Sequence, residues 1–148
     1  IMPFLSKLSR SSPPENEALP RAVLTPTVSA IMADGDMQAE EISQLSNLCT
    51  FSPIFHNIDP ARLAEIVKEL IAEIMEEGGA KKLDEAALLL DQPLRETAFC
   101  FVVRIVMADG SVTEQEKAAL EKIATVLTLD AGTVAQIYTV VQMMQRPA

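Results

Sequence analysis

Thr97-Ala98-Phe99-Cys100-Phe101-Val102-Val103-Arg104-Ile105-Val106-Met107-Ala108-Asp109-Gly110-Ser111-Val112-Thr113-Glu114-Gln115-Glu116 is the stretch on which the fold turns. Its first half is apolar on almost every side. It is too short to span a bilayer and too long for an ordinary strand, so it reads as a buried helix. The helix stops at Asp109-Gly110, where glycine accepts a backbone conformation that other residues resist. A new helix starts at Thr113. The arrangement occurs twice: Ile31-Met32-Ala33-Asp34-Gly35, followed by Asp36 through Glu41, matches Val106 through Glu116 at a constant offset of 75.

The repeat extends past the turns. Ile58-Asp59-Pro60 through Ile66 resembles Leu129-Asp130-Ala131 through Ile137 at an offset of 71. Each unit therefore reads helix, Asp-Gly turn, helix, loop, capped helix. Asp59-Pro60 is a helix start, because Asp caps and Pro sits where no amide hydrogen is needed. That helix runs through Leu63, Ile66, Val67, Leu70 and Ile74 to Gly78-Gly79. Another is expected from about Lys81 to Asp91, and Pro93 opens the central one. Asp130 caps the last, with Val134, Ile137, Val140, Val141 and Met144 inward. Pro26 must kink or divide the helix between Glu17 and Ala33. The expected fold is all-α, a single compact domain of about seven or eight helices built from two pseudo-symmetric units. Residues 1–16 read as an N-terminal arm with an apolar Phe4, Leu5 and Leu8 face beside Lys7 and Arg10, and residues 17–148 as the domain.

Composition narrows the function. The 148 residues suffice for one domain with a real core. A net charge of −9 argues against nucleic acid, which needs clustered Lys and Arg. An acidic body suits cations, basic partner surfaces or plain solubility. No run is long enough for a transmembrane helix and no signal peptide is visible, while the opening Ile1 leaves the natural start upstream or at Met2. Cys49 and Cys100 read as buried thiols of an intracellular protein.

The Asp-Gly turns carry the chemistry. Asp109, Gly110, Val112 and Glu116 match the second half of an EF-hand loop, and Asp34, Gly35, Met37 and Glu41 repeat it. Gly permits the sharp turn, Asp supplies an oxygen, and Glu closes from the next helix. Asp36 and Glu114 are extra acids beside them. The candidate metal ligands are therefore Asp34, Asp36, Glu41, Asp109 and Glu116. The first half of the loop is missing: Ala30, Met32, Ile105 and Met107 stand where carboxylates would be needed. Helix capping competes as an explanation. Thr113-x-x-Glu116 is a capping box, whereas Gln38 stands at that position in the first unit, so capping explains Glu116 better than Glu41.

Other chemistry is thin. His56 is the single histidine, which excludes a multi-histidine zinc site, and there is no Gly-rich phosphate loop. No Ser or Cys has a convincing base nearby in sequence. Met32, Met75, Met107, Met143 and Met144 read as core filler.

At these residues the chain resembles the tellurite-resistance TerB family and its relatives in the N-terminal part of DjlA-type co-chaperones. The paired units at Asp34/Glu41 and Asp109/Glu116 carry the likeness, with Asp91-Gln92-Pro93 and Ile123-Ala124 before Leu129-Asp130. It covers roughly residues 22 to 140. The resemblance implies an all-α, non-enzymatic domain in bacterial stress response or tellurite resistance. It further implies a divalent cation (calcium, magnesium, manganese or zinc) at the acidic turns. Protein partners in a complex at the inner membrane face, and a cytoplasmic or peripheral location, follow from the same likeness. Two other readings stay open: an interaction scaffold whose acids are only caps, and an acid/base enzyme using carboxylates from both turns.

Overall fold

The computed structural model describes residues 14–108 and 110–148. Residues 1–13, and with them the amphipathic face expected of the arm, lie outside the described residues, as does Asp109. The described residues form seven α-helices: α1 (Ala18–Met32), α2 (Ala39–Cys49), α3 (Pro60–Glu77), α4 (Gly79–Leu89), α5 (Gln92–Val106), α6 (Glu114–Val126) and α7 (Ala131–Met144). Short 3-10 turns at Glu15–Glu17 and Pro53–Phe55 complete them, and no strand occurs among the described residues.

The repeat is visible in the helix starts. Asp59 accepts the Arg62 amide at 2.9 Å, and Asp130, at the equivalent place, accepts the Thr133 amide at 2.7 Å. Asp91 does the same for Leu94 at 3.0 Å, with Pro93 in the first turn. Each carboxylate satisfies an amide that the helix itself leaves open.

The two leading helices, α1 and α5, pack against each other at the centre. Val23, Leu24 and Val28 of α1 and Phe99, Val102 and Val103 of α5 are fully enclosed. This is why the quoted stretch is apolar on nearly all sides. Each leading helix also carries the third helix of its own unit, α3 on α1 and α7 on α5. Edge-on ring pairs add to the core, Phe99 with Tyr138 within the second unit at 6.1 Å and Phe101 with Phe55 across the two units at 5.8 Å. The helix α4 then covers both α1 and α3.

A polar tie crosses α1 and α3. Glu17 is buried, and its two oxygens take hydrogen bonds of 2.8 Å from Arg62 Nε and Nη2. Arg21 joins Glu17, Glu69 and Glu73, while Arg62 reaches Glu69 at 2.8 Å. Lys82 of α4 closes the network on Glu73 at 3.1 Å. The Arg62 hydrogen bonds hold the Glu17 carboxyl below its usual range, against the opposing effect of burial.

Several expectations need correction. Pro26 does not divide α1, which runs unbroken to Met32 with Pro26 buried inside it. Packing on both sides holds the turn that proline's missing amide leaves one hydrogen bond short. Cys100 is exposed, unlike the buried Cys49, because it lies on the outer side of α5. Met75, Met143 and Met144 are exposed, as is Val140, where the spacing suggested core.

Candidate functional site: the acidic turns and an uncovered apolar face

The two turns are built alike. After α1 the amide of Gly35 donates to Met32 O at 3.2 Å; after α5 the amide of Gly110 donates to Met107 O at 3.1 Å. Both glycines have left-handed backbones, φ 136° and 84°, which an L side chain would strain. Two residues on, Met37 is buried and Val112 half-buried against the core, pinning each loop from beneath.

The glutamates then turn back on their own helix starts. Glu116 Oε1 accepts the Thr113 amide at 3.0 Å, and Thr113 Oγ1 accepts the Glu116 amide at 3.0 Å. At the equivalent place Glu41 Oε1 accepts the Gln38 amide at 2.9 Å. The sequence suggested capping for Glu116 rather than Glu41; the structure caps with both. The donor in the first unit is a backbone amide, so no Ser or Thr is required.

Asp34 and Asp36 lie exposed on the first turn, and Glu41 and Glu116 are half-buried. Asp109 is outside the described residues. Among the described residues no three His, Cys, Asp or Glu side chains gather closely enough to hold a metal ion. Asp34, Asp36 and Glu41 therefore belong to no such cluster of three.

A cleft of about 500 Å³ opens where α1, α4 and α6 meet near the turns. Its walls carry Met32, Ala33, Met75, Ala118 and Ala119, with Ser29, Gln115 and Lys122 as the polar groups and no carboxylate among the described residues. This lining offers no acid/base pair.

The sequence profile of the family described as "Tellurite resistance protein TerB" matches residues 20–139, which include both turns and all seven helix starts but the first. The chain belongs to the TerB family. No curated protein and no solved structure matches it. The all-helical architecture agrees with a TerB domain, and among its described residues no helix is long and apolar enough to cross a membrane.

One feature of this TerB domain escaped the sequence reading. A groove of about 470 Å³ runs between α5 and α7, walled by Leu48, Thr97, Cys100, Phe101, Val140 and Met144. Through Leu48, Arg104 and Met144 it continues into a second hollow of about 520 Å³, whose rim adds Gln44, Asn47 and Phe51. Phe51 is 88% exposed and Met144 60%. The available signal was the breadth of the apolar surface on α7. Val134, Ile137, Tyr138, Val140, Val141, Met143 and Met144 occupy more of its circumference than one neighbouring helix can cover.

Proposed function

We propose that this TerB domain is a non-catalytic protein-interaction module that works through the face between α5 and α7, its acidic turns serving as helix caps. The carrying observation is the contiguous apolar face with Phe51, Val140 and Met144 exposed together on it, and Met143, also exposed, next to Met144 on α7. Exposed apolar patches of this kind mark interaction sites. Methionines suit them, because the unbranched thioether adapts to a partner's shape. The capping geometry of Glu41 and Glu116 supports the second half of the reading, since each glutamate already serves its own backbone. The family's description, tellurite resistance, supplies the setting: a bacterial stress-response assembly in the cytoplasm or at the inner face of the membrane. The reading takes residues 17–148 as the domain and 1–16 as an arm.

A photo-crosslinking side chain at Met143, introduced in the host cell, tests the reading. It is expected to trap defined protein adducts that the same group at Glu121 does not. Equal trapping at both positions, or none at Met143, would contradict it.

A divalent cation at the turns is the second reading. Asp34 and Asp36 are exposed and, among the described residues, have no cationic partner. Glutamine at both Glu41 and Glu116 separates the two. An amide oxygen still caps, so stability is nearly retained under the first reading, whereas under the second the variant loses cation binding.

A further inference from the structure

The internal repeat indicates what this face, which no described helix covers, is shaped to hold. In the first unit α4 lies across α1 and α3. Ala22 and Ser29 of α1, with Glu69, Leu70 and Glu73 of α3, form the surface at or beside α4. Shifting α1 by 75 and α3 by 71 turns these five residues into Thr97, Arg104, Val140, Val141 and Met144. All five line the groove on α5 and α7. Among the described residues nothing takes α4's place there.

We infer that the groove binds one amphipathic helix of a partner protein, seated on the second unit as α4 is seated on the first, with a carboxylate in its first turn against Arg104. This rests on the interaction reading and deepens it. The helix-in-groove mode needs apolar anchors at helical spacing. In α4 they are Leu83, Ala86 and Ala87, with Leu90 just past its end, all buried.

Charge fixes the orientation. The first residue of α4, Gly79, sits over Ser29: a side-chain carbon on it would lie 3.0 Å from Ser29 Oγ. Arg104 is the equivalent of Ser29, so the partner's first turn falls over Arg104. Arg104 forms no ion pair among the described residues, and its buried Nε has no hydrogen-bond partner. Leaving a buried donor unsatisfied costs about 1–3 kcal/mol, and more for a charged group. A partner carboxylate would relieve this, and an acid in a helix's first turn also suits the helix dipole. Farther along, Glu69 and Glu73, which bind Arg21, Arg62 and Lys82, are replaced by Val140 and Met144. The partner must therefore be aliphatic at the place where α4 uses Lys82.

The test is selection from a displayed library of amphipathic helical peptides, with the whole chain as bait. Selected helices are expected to carry an aliphatic stripe with Asp or Glu in the first turn and to shift the amides of Thr97, Cys100 and Val140. Their affinity should fall at least tenfold on Arg104→Glu, and a peptide with its first-turn acid changed to Lys should regain affinity for that variant. Met144→Asp, at an exposed position that the fold tolerates, should weaken them similarly. Helices that map elsewhere, or that ignore both substitutions, overturn the inference while leaving Met143 crosslinking, and so the interaction reading, intact. A library that yields no helix also overturns it. So does concentration-dependent self-association abolished by Met144→Asp, which would assign the face to a second copy.

Discussion

Glu116 and Thr113 cap each other: the carboxylate takes the threonine amide at 3.0 Å while the hydroxyl takes the glutamate amide at 3.0 Å. The pair closes the start of α6, and at the start of α2 the Gln38 amide donates the matching hydrogen bond to Glu41. Thr113→Ala should lower stability by about 1 kcal/mol, read as a shift in the denaturation midpoint. The loss should be the same with chelator or with added divalent cations. A loss that appears only with cations present would make the pair part of a metal site.

The turns themselves should be sensitive to a single methyl group. Gly110→Ala forces a left-handed alanine, although nothing lies within 4 Å of the added carbon. The expected cost is about 1–2 kcal/mol, from backbone strain alone. Thermal unfolding of that variant measures it, and an unchanged midpoint would mean that the turn has relaxed to another shape.

Stability should depend on pH through the tie between α1 and α3. Glu17 has its carboxyl held below the ordinary range, chiefly by hydrogen bonds from Arg62. Its contribution is therefore complete above the unfolded-state value and fades as the pH falls through the lowered folded-state value. Glu17→Gln should destabilise by about 2 kcal/mol at neutral pH and by much less in strong acid. Urea titrations at several pH values test this, and an equal loss at every pH would count against the network.

The two thiols should differ sharply in reactivity. Burial pushes Cys49 up to about 12, leaving almost no thiolate to react. Cys100 is exposed, though burial of part of its side chain and the Glu96 carboxylate raise its thiol as well. Iodoacetamide should label Cys100 alone, slowly at neutral pH and faster as the pH rises. Labelling of Cys49 in the native domain would show that the core opens there.

Much of this was legible in the sequence because it is local chemistry at fixed spacing. The Asp59 and Asp130 caps, the glycine turns and the two-unit order all follow from residues within a few positions of one another. The Glu41 cap was not, since its partner is a backbone amide that any residue supplies. Nor was the Glu17–Arg62 tie, which joins residues 45 positions apart. The apolar face was hidden for a different reason: Val140 and Met144 obey helical spacing, but spacing cannot reveal that no helix among the described residues covers them.

The central claim is that the domain acts by protein contact and that its acidic turns only cap helices. The most direct test is a calorimetric titration of the chelator-stripped protein with calcium, magnesium, manganese and zinc, with backbone amides followed by NMR. The account predicts no saturable heat and no shift at Gly35 or Gly110. Saturable binding with both glycine amides moving would contradict it and make the turns a metal site.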